Sequence, residues 1–231
     1  AESFTVSVAD MTLAKMKPVA DAALVQGINR FVVLAYMHQP WDDRKPGVTE
    51  DRFYLPYQRH NTWWEYSSGF WNTLARSSQM MQTGTPVMDL LYHLGNDAPL
   101  KIATWRMRPV PPAGYDYDVC SDEILLRASV KNGRIVLPGG MSYSVLVLAG
   151  GNRITLAAAR RLKMLVNNGA VVIGPQKPIG SSSLIDGSAG DKEVRAIADA
   201  LWGPGKQSPV GQHISGHGKI VWGYTPAQVL A

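Results

Sequence analysis

The pattern at the start of the chain changes from a helical period to a nearly continuous apolar run. Residues Lys17–Gln26 have helical spacing, with Pro18 at the first helical position, where its missing N–H would be unpaired anyway, and Gly27 as the stop. The apolar run Arg30–Met37 is typical of a parallel strand covered on both faces. The opening residues Ala1–Thr5 resemble the end of another strand, so we expect the chain to be an internal piece of a longer polypeptide.

A polar loop then extends to about His60 and leads into an amphipathic helix. Thr62 and Glu65 have the capping-box spacing at its start, and Gly84 closes its end. The apolar face of this helix is formed by Trp63, Phe70, Trp71, Leu74 and Met81. The order strand, helix, strand, long loop and helix is typical of a barrel of parallel strands, in which the loops after the strands carry function.

Beyond Gly84 the elements alternate more closely. Asn132-Gly133 predicts a type I′ turn in a hairpin over Ala128–Leu137. The other predicted elements are the strands Val87–Leu94, Ser144–Ala149, Ala170–Gly174 and Lys219–Gly223 and the helices Thr155–Asn168 and Asp191–Trp202, the latter capped by Asp191. Strands that alternate with helices imply a parallel, Rossmann-like sheet. The sequence therefore predicts an α/β protein, with barrel elements in residues 1–84 and a Rossmann-like domain in residues 85–231.

Composition excludes several classes of protein. Of the 231 residues, 45% are hydrophobic and 18% charged, as in an ordinary globular protein, and no apolar stretch approaches the length of a membrane span. The net charge is +5, but the basic residues are scattered in runs no longer than Arg160-Arg161, which disfavours nucleic-acid binding. The single cysteine, Cys120, fits no metal-ligand spacing and reads as a small packed thiol.

Three clusters could carry chemistry. Glu2 lies at the carboxyl end of the opening strand, where barrel enzymes place catalytic groups, although a glutamate there is more often simply solvated. His38, Gln39 and Trp41 follow the next strand, and a flat aromatic ring beside fixed polar groups suits a sugar. A capping Trp with a structural His is an equally good interpretation.

The third cluster precedes the long helix. Trp63 and Trp64 point about 100° apart on a helix, so they cannot both face the core. One of them can line a cleft together with His60 and Asn61. We therefore take His60, Asn61 and Trp63 as further candidate substrate-binding residues.

Other signals are weaker. Gly150-Gly151 lies between a strand and a helix, but neither a dinucleotide nor a P-loop motif is present, so a tight turn without a nucleotide cofactor is the better interpretation. No GxSxG elbow supports acyl transfer. His213 and His217 share a Gly-rich loop, in which metal binding is not expected.

At these clusters the sequence resembles the bacterial α-L-rhamnosidases of glycoside hydrolase family 106. The matching segments are Glu2-Ser3-Phe4-Thr5, Gly27–Phe31 leading into His38–Trp41, Arg59–Trp64, Pro112–Tyr117, Leu137–Tyr143 and Trp202-Gly203. They occur in order over nearly all of the chain, which makes them specific together although each alone is weak.

The resemblance implies a large, multidomain, exported enzyme, secreted or periplasmic, that removes terminal L-rhamnose with inversion and depends on Ca²⁺. It implies that residues 1–84 hold the last two strand–helix units of a (β/α)8-type barrel, with Glu2 as one of two catalytic carboxylates, acid or base. Residues 85–231 look like the glutamine-amidotransferase-like module that follows the barrel in several glycosidase families. We expect this module to be structural, because its catalytic cysteine is not evident and Cys120 does not lie in a strand-to-helix elbow. The implied partners are a rhamnose-containing glycoside and the remaining domains of the same polypeptide, with no nucleic acid and no membrane.

Two alternatives remain open. The chain could belong to a non-catalytic sugar-binding or degenerate glycosidase homologue, which would keep Trp41 and the His60–Trp63 cluster but lack an acid upstream. It could also be an independent Rossmann-like domain that acts on nucleotides or amides. The lack of a phosphate loop and a nucleophile elbow disfavours this second alternative.

Overall fold

The computed structural model describes residues 1–5, 11–34, 36–49, 57–96 and 107–231. The chain divides into two compact units, Ala1–Gly84 and Thr85–Ala231. The division falls at the glycine where the sequence analysis places the domain boundary. Among the described residues, no helix combines the length and the apolar character that crossing a bilayer requires.

Unit 1 contains a short parallel strand pair. Strand β1 (Glu2–Ser3) pairs with β2 (Val32–Val33), with Glu2 opposite Val32. The prediction of a strand over Arg30–Met37 is wrong in extent: only two of its residues pair, and Ala35 lies outside the described residues. Val32 is also 57% exposed, because β1 is the only strand hydrogen-bonded to β2 in the part of the chain that is described. The expected burial on both faces is therefore not met within this chain.

Helix α1 (Leu13–Val25) begins a turn earlier than its pattern predicts. Thr12 caps it by accepting a hydrogen bond from the Lys15 main-chain N–H. Pro18 therefore lies inside the helix, and the prediction that it begins the helix is wrong. The end is as predicted, with Gly27 in the left-handed region at φ +90°.

Helix α2 (Ser68–Met81) begins later than predicted. A 3₁₀ turn over Trp64–Tyr66 precedes it, and Ser67 takes the N-cap position, so Thr62 does not cap this helix. The tighter turn lets the Trp63 ring pack edge-on against Tyr57. Helix α1 packs on α2 around the buried Met16 and Tyr57. The aromatic and aliphatic residues around these two are Phe4, Met11, Leu13, Val33, Trp63, Trp64, Phe70 and Trp71.

Unit 2 is built on a six-stranded sheet. In chain order its elements are β3 (Leu90–His93), β4 (Tyr117–Cys120), α3 (Asp122–Arg127), β5 (Ser129–Lys131), β6 (Arg134–Val136), β7 (Ser142–Tyr143), β8 (Val145–Leu148), α4 (Leu156–Asn167), β9 (Val171–Ile173), α5 (Gly187–Trp202), β10 (Gly211–Ser215), β11 (Gly218–Trp222) and α6 (Pro226–Leu230). The sheet order is β10-β11-β9-β8-β3-β4, parallel throughout except for the β10–β11 hairpin. Strands β5, β6 and β7 form a separate antiparallel sheet, whose turn at Asn132-Gly133 has positive φ at both residues, as predicted.

Both faces of this sheet are covered. Leu146, Val172 and Ile220 point into a core shared with α3, α4 and α5. Val147, Ile173 and Val221, each next to one of these along its strand, point to the other face, into a second core with Met107 and α6. Runs buried on both faces are what a parallel sheet requires, and the predicted α/β class with a parallel sheet is confirmed.

Three details of unit 2 differ from the expectations. Helix α5 begins at Gly187, and Asp191 does not cap it but accepts the Ser181 main-chain N–H at 2.7 Å. His213 lies in strand β10, which the Gly-rich pattern did not reveal, rather than in a loop. Seven residues, 149–155, connect β8 to α4 with bends at Gly150 and Asn152, so the connection at Gly150-Gly151 is longer than the expected tight turn.

Candidate active site

The first feature of the candidate site is the carboxylate of Glu2. Glu2 lies on β1, its side chain is exposed, and its Oε1 accepts a hydrogen bond of 2.7 Å from the Thr5 hydroxyl. The next residue but one, Phe4, has φ +60°, a conformation that non-glycine residues seldom adopt and that clusters at functional sites. The backbone thus turns sharply where the strand presents its glutamate.

A hydroxyl ties this turn to the segment before α2. Tyr57 donates a hydrogen bond of 3.1 Å to the Phe4 carbonyl and is itself almost fully buried. The Phe4 ring lies parallel to Phe31 and meets Phe70 edge-on. These contacts anchor the end of β1 to the residues that lead into His60.

The loop after β2 is organised by Gln39. Its side-chain amide accepts from the Val48 main-chain N–H at 2.8 Å and donates to the Val48 carbonyl at 2.6 Å, as a neighbouring strand would. Gln39 is buried, so this pairing satisfies its polar atoms. Its observed contacts hold the loop closed, and its predicted role in binding substrate stays a prediction.

Arg59 fastens the same loop from the other side, a role that the sequence did not indicate although Arg59 begins the matching segment Arg59–Trp64. Its Nε donates to Asp42 Oδ1 at 2.7 Å and its Nη2 donates to the Gln39 carbonyl at 2.7 Å. Arg59 and Asp42 are seventeen positions apart with no periodic relation, so no sequence signal pairs them. The planar guanidinium suits two acceptors held at fixed positions.

Trp41 lies at the outer part of this loop. It is 46% exposed, and the Arg44 guanidinium lies 4.5 Å from its ring centre. This is a cation–π contact. The ring is therefore an accessible aromatic face with a cation against it. His38, three positions earlier, is also exposed.

His60 lies where the loop after β2 meets the segment that leads into α2. A Cβ at Gly47 would come within 2.8 Å of His60 Nδ1 and within 2.0 Å of Gln39 Oε1, so Gly47, Gln39 and His60 are in close contact. Gln58 Oε1 accepts the His60 main-chain N–H at 2.7 Å. Both ring nitrogens of His60 are enclosed and meet no partner among the described residues. Such buried polar atoms are uncommon and call for a physical reason.

The remaining candidates lie at the beginning of the 3₁₀ turn. Asn61 Oδ1 accepts the Trp63 main-chain N–H at 3.4 Å, and both residues are partly buried. Trp63 packs against Tyr57 and Trp64. The structure thus brings Gln39 and His60 together at Gly47, with Arg59 bonded to the Gln39 carbonyl. Tyr57 bonds the Phe4 carbonyl, two residues after Glu2, and Trp63 belongs to the aromatic core.

Comparison with known proteins bears on what this arrangement does. The α-L-rhamnosidase model of glycoside hydrolase family 106 matches residues 1–231. The chain belongs to this family.

Two relatives of the family 106 chain show how it fits a larger protein. A rhamnosidase structure from Novosphingobium sp. PP1Y matches with a TM-score of 0.83 and 30% identity, over 98% of this chain and 21% of that one. A protein named putative beta-glucuronidase from Formosa agariphila is 38% identical over 206 residues, which is 89% of this chain and 17% of that protein. The chain therefore spans about a fifth of the length of the relatives it matches.

Family membership raises the question of a metal. No three His, Cys, Asp or Glu side chains of the described ranges lie close enough together to hold an ion. The described residues therefore offer no cluster of carboxylates that could supply several of the six to eight oxygen ligands of Ca²⁺. No step of the chemistry proposed below involves a metal.

The expectation that Cys120 does not lie in a strand-to-helix elbow is wrong. Cys120 is the last residue of β4 and α3 begins at Asp122, so it does lie at a strand-to-helix junction, contrary to the expectation. It is buried, and burial with the nearby Asp122 and Asp118 carboxylates raises its pKa to about 12. A thiol that stays protonated is a poor nucleophile, so its position does not make it catalytic.

Proposed function

We propose that this chain forms part of the active site of a glycosidase that removes terminal α-L-rhamnose. The observation that carries the proposal is the exposed Glu2 carboxylate on a parallel strand, next to a strained turn, in a chain that the family model matches from end to end. In barrels of parallel strands the catalytic groups lie at the carboxyl ends of the strands. Residues 1–84 would then be the last two strand–helix units of that barrel.

The chemistry we propose is hydrolysis with inversion. One carboxylic acid protonates the departing oxygen, and a carboxylate on the opposite face of the sugar activates water. In such enzymes the two groups are roughly 6.5–9.5 Å apart, which leaves room for the water. Glu2 would be one of them, with Thr5 fixing the orientation of its carboxylate. Its partner would come from an earlier strand of the complete enzyme.

The loop after β2 supports a role in binding the sugar. The exposed ring of Trp41 can stack on the C–H face of a pyranose. The enclosed His60 nitrogens could exchange hydrogen bonds with sugar hydroxyls, which would satisfy them. We propose that Gln39 and Arg59 hold the loop, and with it Trp41, in place. His38 and Asn61 would lie at the margins of the sugar-binding site.

A second substrate class is favoured by one contact. Arg44 lies against the Trp41 ring, and a cation beside a sugar platform would suit the carboxylate of a uronic acid. The relative from Formosa agariphila is named a beta-glucuronidase. A glucuronide-cleaving enzyme is therefore the second candidate.

Turnover by the complete enzyme distinguishes these candidates. We expect release of the aryl group from an aryl α-L-rhamnoside, and proton NMR of the first product should show the inverted anomer. Turnover of an aryl β-D-glucuronide alone, abolished in Arg44→Gln but not in Arg76→Gln on α2, would support the second candidate instead. No turnover of either by a folded enzyme that still binds sugar would support a non-catalytic homologue. Residues 1–231 alone should be inactive, since two strands do not form a barrel.

Calcium dependence and export are further proposals, which rest on the resemblance to the family. Dialysis of the complete enzyme against EDTA should lower its activity, and added Ca²⁺ should restore it. Unchanged activity after complete removal of the metal would contradict this proposal.

A further inference from the structure

Unit 2 contains a crevice that the proposed glycosidase chemistry does not use. It opens where β3 and β8 end, the two neighbouring strands from which the chain leaves in opposite directions along the sheet. In open parallel sheets such a reversal of strand order forms a ligand crevice. Among the described residues, those that line it include His93, Gly95, Gly150, Gly151, Arg153 and Ile154.

The base of the crevice is a polar network around the buried His93. His93 is 2% exposed, and its Nε2 lies 2.7 Å from Asp122 Oδ1, while the Thr155 hydroxyl donates to the other Asp122 oxygen. Burial alone would raise the pKa of Asp122, but the hydrogen bonds from His93 and Thr155 lower it. The carboxylate is therefore ionised at neutral pH and accepts a hydrogen bond from the Nε2–H of His93. Nδ1 of His93 meets no partner among the described residues.

The wall of the crevice supplies hydrogen-bond donors. The main-chain N–H groups of Gly95, Gly150 and Gly151 meet no main-chain acceptor within the described ranges. Arg153 uses Nη1 for the Ser181 carbonyl and for Asp191 at 3.3 Å, and in the described part of the chain its Nε and Nη2 meet no acceptor. A side chain cannot replace Gly150 freely, since a Cβ there would lie 3.3 Å from the Leu94 carbonyl, and Gly95 has φ +75°. Donors with no acceptor around a small space favour an anionic oxygen ligand.

The size of the crevice limits the ligand. Its enclosed part measures about 20 Å³, room for one or two atoms the size of a water oxygen. Ligand pockets for larger molecules measure roughly 300–1,000 Å³, so a nucleotide does not fit. The rest of a ligand would extend past the apolar side chains of Leu148, Ile154 and Pro178 towards solvent.

We propose that this crevice binds the carboxylate of a small organic acid. The two carboxylate oxygens accept hydrogen bonds from the Gly150 and Gly151 amides and from the free edge of Arg153.

The test is an NMR titration of the 231-residue chain with sodium acetate, with sodium chloride at equal ionic strength as the reference. We expect saturable shifts of the Gly150 and Gly151 amide signals. Arg153→Gln should raise the Kd for acetate at least about tenfold, because it removes a charged donor. Arg195→Gln, a nearby arginine that donates to the Ile179 carbonyl, should leave the Kd unchanged.

Three outcomes would overturn the proposal. Equal shifts with chloride would show an ionic-strength effect, and an unchanged Kd in Arg153→Gln would show that Arg153 is not involved. Saturation by inorganic phosphate but not by acetate would show that the site takes a tetrahedral anion instead. If Arg153→Gln disturbs signals beyond the loop, Arg153→Lys decides, since it keeps the charge but loses the planar fork and should still weaken acetate binding.

Discussion

At the scale of single residues, Gly47 shows how closely the loop after β2 is packed. It has φ +85°, and a side chain there would collide with Gln39 and His60. Gly27 has almost the same backbone, φ +90°, but open space around it. The two glycines therefore separate the effect of conformation from the effect of packing.

Replacing each glycine by alanine should have unequal effects. Gly27→Ala should lower the free energy of unfolding by about 1 kcal/mol, because only the left-handed backbone opposes the new side chain. Gly47→Ala should lower it by about 1–3 kcal/mol more, because the Gln39 amide must also move. Urea denaturation of the two variants and the wild type measures this. Equal losses in both variants would mean that the contact with Gln39 and His60 does not constrain the loop.

Some site residues could be predicted from sequence and others could not. Glu2, in the opening strand, and Trp41, after the run Arg30–Met37, are candidates that the sequence alone gives, and both are exposed in the structure, while their roles stay predictions. The contacts of Arg59 could not be predicted, since its partners Asp42 and the Gln39 carbonyl are distant in sequence. The enclosed ring of His60 is likewise a product of tertiary contact with Gly47, which no local pattern encodes.

At the scale of elements, local signals predicted most helices and strands but not all their ends. The pattern favoured Pro18 as a helix start because proline is common there, yet Thr12 supplies a cap earlier in the chain. Strand β10 was missed because its residues, Gly211–Ser215, alternate weakly and lie among glycines. The barrel assignment of residues 1–84 stays a prediction, since the described residues of unit 1 contain one strand pair.

The hydroxyl of Thr155 links α4 to α3, and its contribution to stability can be measured. It accepts the Ala158 main-chain N–H at the start of α4 and donates to Asp122 on α3. Thr155→Ala should lower the free energy of unfolding by about 1–3 kcal/mol, because a helix cap and a donor to a partly buried carboxylate are both lost. Thr155→Ser keeps both bonds and should stay within about 1 kcal/mol of wild type in urea denaturation. A Thr155→Ala protein as stable as Thr155→Ser would contradict this role.

At the scale of the whole molecule, Asp122 links the fold to pH. Its pKa in the folded chain lies below its usual 3.8 because hydrogen bonds from His93 and Thr155 outweigh burial. The unfolded chain therefore binds a proton more readily, so the stabilisation is complete above the unfolded pKa and is lost as pH falls through the folded one.

Acid denaturation should show this linkage. The urea midpoint of wild type should fall as pH drops below about 4. Asp122→Asn should be less stable at pH 7 and lose less on acidification. Glu123→Gln, an exposed neighbour on α3, should retain the wild-type slope. An unaltered acid slope in Asp122→Asn would remove Asp122 from the explanation.

The chain spans about a fifth of the relatives it matches, so the central claim concerns the complete enzyme. That claim is that Glu2 is one of the paired carboxylates. Its most direct test is kcat of full-length Glu2→Gln on an aryl α-L-rhamnoside, with Glu65→Gln, an exposed carboxylate of the same unit, as the control.

We expect kcat of Glu2→Gln to fall by about 10²–10⁴-fold, because general acid–base catalysis contributes a factor of that order. The variant should fold normally and still bind rhamnose, and Glu65→Gln should retain wild-type turnover. Azide should partly restore turnover if Glu2 is the base, and substrates with very good leaving groups should suffer least if it is the acid. A folded Glu2→Gln enzyme with kcat within a few-fold of wild type would contradict the account.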